Sequence, residues 1–193
     1  MNSFSHGRTF LVIALQFGLS IMTGFSQKIM IVSHSVSGKT QKMAESVLAG
    51  AQRVDGVEVI MKEITTATVS DVLTSDAVIV GCPVQNGNPS PEILSFIRSW
   101  PFEGWPMRDK IGAVFVTGGG ISAGEELAQL GLIQALMVQG MLVVGGGNWE
   151  SSFGASAVTA EKPFDGATPD RMFLIKAEAL GQRVAQAARR WKK

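Results

Sequence analysis

The chain has one cysteine, two histidines and no tyrosine among its 193 residues. A lone Cys82 excludes an internal disulfide and any metal centre built from several thiolates. It also leaves cysteine usage silent about redox compartment. His6 and His34 are too few for a His-rich metal site. Charge of one sign is equally scarce: 17 Lys and Arg against 16 Asp and Glu give a net charge of +1. That balance offers no global basic surface for nucleic acid. Charged residues make up 17% of the chain and hydrophobic residues 46%, which excludes a disordered polymer. The length suits one domain with a full core. The basic ending Arg189-Arg190-Trp191-Lys192-Lys193 reads as the close of a helix, where cations favour the dipole.

The first 26 residues differ from the rest. Arg8 precedes the apolar run Thr9–Met22, and the small residues Gly24 and Ser26 follow. A positive start, an apolar middle and a small-x-small site make a secretory signal. An uncleaved membrane anchor is the alternative, because the run is slightly short of the ~20 apolar residues of a span. No cysteine stands at the cleavage point, so a lipoprotein anchor is not supported. The expectation is a signal peptide or membrane anchor over 1–26 and one domain over 27–193. The domain is exported, periplasmic or secreted, if the signal is cleaved, and membrane-anchored otherwise.

From Lys28 onward, short apolar runs alternate with amphipathic segments. Ile29–Val32, Val57–Met61, Ala77–Val80, Gly112–Val116 and Met141–Val144 are Val- and Ile-rich and nearly unbroken. Such runs suit strands covered on both faces of a parallel sheet. Between them, Met43, Val47, Ala51 and Val54 recur at helical spacing. Leu127, Leu130, Ile133 and Met137 do the same within Glu125–Gln139, as do Phe173, Ala177, Leu180, Val184, Ala188 and Trp191. All three stripes read as core-facing helix surfaces. Val69–Leu73 is a short further helix candidate. The alternation predicts an α/β fold: a three-layer, doubly wound, five-stranded parallel sheet with right-handed crossovers.

Ligands of such sheets bind beyond the carboxyl ends of the strands. The loops leaving the first, third and fourth strand candidates therefore share one edge, and all three are polar and Gly-rich. The first holds Ser35, Val36, Ser37, Gly38, Lys39 and Thr40 between a strand and a helix start. Unpartnered first-turn N–H groups and the positive end of the macrodipole make that turn a phosphate site. The ending Gly38-Lys39-Thr40 matches half of a Walker A loop, but Ser33 stands where its first glycine belongs. No apolar run ends in an aspartate for magnesium; Asp76 begins its strand instead. A compact monophosphate nest and a plain Ser/Gly helix cap remain as readings of this loop alone. For Asn86-Gly87-Asn88 in the second loop, an ordinary turn is the plain alternative. Cys82 reads as a small buried residue closing its strand, and His34 as a loop residue.

Taken together, Ser35-x-Ser37-Gly38-x-Thr40 resembles the flavin mononucleotide (FMN) phosphate loop of flavodoxins. Cys82-Pro83-Val84-Gln85-Asn86-Gly87-Asn88 is similar to the Pro-Thr-x-x-Gly-Asn loop of WrbA-type quinone reductases. Thr117-Gly118-Gly119-Gly120, with Gly124 and Glu125 beyond, looks like the flavin-edge loop of that group. Ser152-Phe153-Gly154-Ala155 resembles their Tyr/Phe-Gly-Ala segment. The likeness runs from about Lys28 to Trp191. It implies a flavodoxin-like fold and FMN held by Ser35–Thr40, Pro83–Asn88, Thr117–Gly120 and Gly124. It also implies NAD(P)H as co-substrate, a quinone-like acceptor, no side chain acting as acid or base, and a homo-dimer or homo-tetramer. Two alternatives share the fold: an electron carrier without its own substrate, and a scaffold that has lost the cofactor. The chain departs from the pattern in having no tyrosine to stack on the ring, leaving Trp100, Trp105, Trp149 and Phe153 as substitutes. Val84 and Gln85 stand where the WrbA type carries an aromatic.

Overall fold

A computed structural model describes residues 26–191. The expected signal or anchor segment lies outside the described residues, Ser26 excepted. The elements run β1 (Gln27–Ser33), α1 (Lys39–Ala51), β2 (Val57–Glu63), α2 (Val69–Leu73), β3 (Ala77–Gln85), β4 (Asn88–Pro89) and α3 (Pro91–Arg98). They continue with β5 (Ile111–Gly118), α4 (Glu125–Val138), β6 (Leu142–Val143), β7 (Ala155–Val158) and α5 (Arg171–Arg190). The sheet order is β2-β1-β3-β5-β6, with β7 also on β5 and β4 on β3. Every pairing is parallel except the short β3–β4 hairpin. Strand order reverses at β1–β3, so their carboxyl ends open the crevice expected of a doubly wound sheet.

Two apolar layers sandwich the sheet. One packs Ile29, Ile31, Ile79 and Phe115 against Met43 and Val47 of α1 and Leu180 and Val184 of α5. The other packs Met30, Val78, Val80 and Val114 against Ile93 and Ile97 of α3 and Leu132 and Leu136 of α4. Alternate residues of β1 thus feed opposite layers, as a period of two requires. Gly50 and Gly181 let α1 and α5 cross backbone to backbone: a Cβ on Gly50 would meet the Glu178 carbonyl, and one on Gly181 the Val47 carbonyl. The same neighbourhood holds the Arg53–Glu178 ion pair.

Three features differ from the sequence expectation. The fifth strand is split: β6 pairs only with Ile111–Gly112, and β7 pairs with Phe115–Gly118. The residues between them leave the sheet, held by Gly146 N–H donating to the Ser151 carbonyl at 2.7 Å. Residues 155–158 carry two alanines and a serine, too little bulk to stand out as a strand. α3 is a helix beyond the sequence expectation, although Pro91 at its start and the buried pair Ile93 and Ile97 are ordinary helix signals. In α4 the expected stripe faces the wrong way. Leu127 is 61% and Met137 60% exposed, while Ala128, Gln129, Leu132 and Leu136 are buried. This helix is apolar on nearly every side, so spacing alone could not choose its inner face.

Candidate flavin site

Loops after β1, β3 and β5 meet at the carboxyl edge of the sheet. In the first, Gly38 adopts φ +80° and ends the loop without a side-chain cap on α1. Ser35 reaches over this turn, its Oγ accepting from the Gln41 N–H at 3.2 Å. Val36, Ser37 and Gly38 are exposed, so hydroxyl and backbone groups face outward at a helix start. Lys39 and Thr40 belong to the first turn of α1, where the helix dipole is positive. The Lys39 ammonium donates to the Thr159 carbonyl just past β7, and so ties the loop to the far strand. Thr40 is buried, with its hydroxyl 2.7 Å from that of Thr117 at the end of β5.

The second loop is tighter than its sequence suggests. Pro83, Val84 and Gln85 continue β3, and Asn88 begins β4. Asn86 (φ 49°) and Gly87 (φ 74°) form the two-residue turn between them. Left-handed values at both positions match the primed hairpin turns that favour Asn-Gly. The Asn88 side-chain amide donates to the Asn86 carbonyl at 2.9 Å. Asn86-Gly87 is thus a hairpin turn, and it projects from the sheet beside the third loop.

Thr117 and Gly118 are the last residues of β5, and Gly119 to Gly124 carry the chain to α4. Residues just past β7 hold this loop. Thr159 donates to the Gly118 carbonyl through both N–H and Oγ1, each at 2.9 Å. Ala160 N–H donates to Gly119 at 3.0 Å, and the Glu161 carboxylate accepts from Ile121 N–H at 2.8 Å. Thr159 and Glu161 were missed from sequence, because a polar segment after an unrecognised strand carries no motif. A cleft of about 540 Å³ flanks the loop, lined in part by Ile121, Gly124, Glu125 and Ser156.

Two titratable groups lie beside the loops, His34 and Cys82. His34 Nδ1 lies 2.9 Å from the buried Ser90 hydroxyl and 3.5 Å from a Glu92 carboxylate oxygen. Cys82 is fully buried, and burial pushes its thiol up to about 11, against the opposing hydrogen bonds of Ser90. It is no nucleophile at neutral pH. Among the described residues no group of three or more His, Cys, Asp or Glu could hold a metal.

Each loop also presents bare backbone: a Cβ on Gly38, Gly87 or Gly119 would meet nothing within 4 Å. This opening, with the Ser35 and Ser37 hydroxyls at a helix start, fits a flat ring carrying one phosphate. Of the aromatic candidates, Trp100 is buried edge-on against Phe96. Trp105 packs against Phe102 and Arg108, next to Gly140, which precedes β6. Both sit away from the three loops. Trp149 and Phe153 are exposed and line a cavity of about 470 Å³ with Ser156 of β7.

Comparison with known proteins follows the same lines. Residues 55–156 match the family described as NADPH-dependent FMN reductase, a stretch that contains the second and third loops. A flavodoxin from Aquifex aeolicus (strain VF5) is 35% identical over 119 residues, which cover 61% of this chain and just under two thirds (64%) of that flavodoxin. An NAD(P)H dehydrogenase (quinone) from Syntrophobacter fumaroxidans is 27% identical over 206 residues, covering 84% of this chain and 98% of the dehydrogenase. Among solved structures, a flavodoxin, WrbA-like protein from Agrobacterium tumefaciens superposes with a TM-score of 0.68 at 25% identity, covering 86% of this chain and all of that one. With a flavodoxin-like sheet and a match over more than half its length, the chain belongs to the NADPH-dependent FMN reductase family.

Proposed function

We propose that this chain is an FMN-dependent oxidoreductase that takes electrons from NAD(P)H and delivers them to a quinone-like or other small acceptor. The observation that carries the reading is the convergence of three loops at one sheet edge, each with a glycine where an added Cβ would meet nothing within 4 Å. When bound, FMN supplies the redox chemistry, accepting electrons from one substrate and releasing them to the next.

The chain's own residues do the holding. Ser35, Ser37, Thr40 and the N–H groups of residues 36–40 take the phosphate, with the α1 dipole behind them. Lys39 braces the loop through Thr159 and contributes its N–H. Pro83–Asn88 and Thr117–Gly120 line the ring edges, and Gly124 lets the two loops close on each other. No side chain is assigned as acid or base: Cys82 is buried with a raised pKa, and His34 is engaged by Ser90. Export of the domain and self-association belong to the same reading. Self-association is supported by the exposed Leu127, Met137 and Val138 on α4.

The purified chain should quench added FMN fluorescence and oxidise NAD(P)H when benzoquinone is supplied. FMN binding without that turnover would make it an electron carrier. No FMN binding at all would leave only the scaffold.

A further inference from the structure

The end of the sheet opposite the three loops carries aromatic and basic residues that the redox reading does not use. Hydrogen bonds between strand starts define that end. Gln27 N–H donates to Gly56 at 3.2 Å, Asp76 N–H to Lys28 at 2.8 Å, Ile111 N–H to Asp76 at 3.1 Å and Leu142 N–H to Lys110 at 2.9 Å. The amino ends of β2, β1, β3, β5 and β6 therefore form one row.

Basic and aromatic side chains flank this row on both faces of the sheet. On the α5 side, the Arg189 Nε lies 3.9 Å from where a Gly56 Cβ would be. Arg190 and Trp191 line a cavity of about 370 Å³ with Ile111 and Leu142. On the other side, Gly140 approaches Arg108 and Trp105. The Arg108 guanidinium sits 5.3 Å from the Trp105 ring centroid, and the Phe102 ring 6.4 Å from it. Phe102 is 56%, Trp191 50% and Trp105 44% exposed. Asp55, Glu103 and Asp109 lie among them, and Asp109 is 3.9 Å from Arg108. With Lys28, Lys110 and Asp76 of the row itself, five basic residues stand against four acidic ones, an excess of a single charge, so the aromatics matter.

The chain also enters here. Ser26 directly precedes Gln27 at this end, and the apolar run Thr9–Met22 lies just before it in the sequence. Tryptophan and phenylalanine with arginine beside them suit a bilayer headgroup zone, where rings sit at the interface and guanidinium groups meet phosphate. Among the described residues no helix is long and apolar enough to cross a membrane.

We propose that this end of the domain rests on an anionic phospholipid bilayer. Phe102, Trp105 and Trp191 enter the headgroup zone, Arg108, Arg189 and Arg190 face lipid phosphates, and the N-terminal segment is retained as tether. The three loops then point away from the membrane, toward water-soluble donors and acceptors.

The full-length chain, incorporated into vesicles of phosphatidylcholine with brominated acyl chains, reports this through tryptophan quenching. Quenching should rise when phosphatidylglycerol is included. It should fall in Trp105→Phe and Trp191→Phe and stay unchanged in Trp149→Phe, whose ring lies beside β7 near the loop end. Arg189→Glu with Arg190→Glu should return quenching to the phosphatidylcholine level, with circular dichroism confirming the fold. Equal quenching on both vesicle types, or a fall confined to Trp149→Phe, overturns the proposed orientation. A chain whose mass shows the segment removed, and which stays in the soluble fraction, overturns the tether.

Discussion

Gly124 and Gly87 meet backbone to backbone: a Cβ on Gly124 would lie 2.5 Å from the Gly87 Cα. The contact joins the hairpin turn after β3 to the helix start after β5, and so sets the spacing of the loops proposed to hold the ring.

Gly124→Ala should therefore damage binding more than folding. The residue sits at φ +96°, where an L side chain is strained by roughly 1–2 kcal/mol. Its methyl group must also push the Gly87 turn outward. Both loops lie at the surface, so the cost falls on their spacing and not on the core. FMN affinity should drop about tenfold or more, since each ~1.4 kcal/mol is a factor of ten, with an unchanged far-ultraviolet dichroism spectrum. An unaltered Kd by fluorescence titration would show that ring binding does not depend on this contact.

Comparing FMN with riboflavin isolates the phosphate loop. Riboflavin has the ring without the phosphate, so only FMN engages Ser35–Thr40. Ser37→Leu with Thr40→Val removes two hydroxyls and crowds the turn. Hydrogen bonds to a charged group are worth about 1.5–3 kcal/mol each, so FMN affinity should fall at least 100-fold and approach that of riboflavin. Riboflavin affinity itself should change little. Parallel losses for both ligands would place the phosphate elsewhere.

Much of this architecture is legible because parallel strands buried on both faces leave unbroken Val and Ile runs. β1, β3 and β5 stand out on that basis, and β2, a half-buried edge strand, by its Val57-x-Val59-Ile60 composition; the loop chemistry at the strand ends follows. What stayed hidden depends on partners far along the chain. The inner face of α4 is chosen by Val80 and Val114 on the sheet, not by the helix's own period, so Leu132 is buried and Leu127 exposed. β7 owes its place to pairing with β5, and Ala155 and Ala157 carry too little bulk to announce it. The brace of Glu161 on Ile121 was invisible for the same reason: it spans 40 residues of sequence.

Asp71 gives a stability term with a defined pH window. Its carboxylate accepts from the Lys62 ammonium at 2.8 Å and from the Thr68 hydroxyl and N–H, closing a capping box on α2. Those hydrogen bonds, led by Lys62, lower its pKa to about 2. A depressed carboxylate stabilises the fold at pH values above its unfolded pKa, ~3.9. That contribution disappears as pH falls through about 2. Asp71→Asn should lower Tm at pH 7, and the gap to wild type should narrow between pH 4 and pH 2. A gap independent of pH would assign the loss to the cap alone.

The Cys82 thiol should be silent toward disulfide reagents in the native protein. It is fully buried, and its pKa of about 11 leaves almost no thiolate at pH 8. Labelling with a chromogenic aromatic disulfide should proceed only as fast as the domain opens, and accelerate steeply with urea. Rapid labelling without denaturant would mean that the end of β3 opens locally, beside the proposed ring site.

Replacing Gly181 with alanine sets helix propensity against packing. Alanine favours an α-helix by about 1 kcal/mol over glycine, which alone would stabilise α5. The new methyl, however, points at the Val47 carbonyl of α1. Backbone cannot yield as a side-chain tip can, so the helices must separate and loosen the contacts of Val47, Leu180 and Val184. Overpacking of this kind costs typically about 1–3 kcal/mol, and a backbone obstacle belongs at the upper end. The net expectation is a Tm several degrees below wild type, at roughly 2–4 °C per kcal/mol for a domain of this size. Gly50→Ala should act alike, because its methyl meets the Glu178 carbonyl across the same crossing. The double variant should cost less than the sum of the singles, since one separation relieves both clashes. Thermal denaturation of the three proteins checks this, and strictly additive losses would mean that the two glycines act at independent sites.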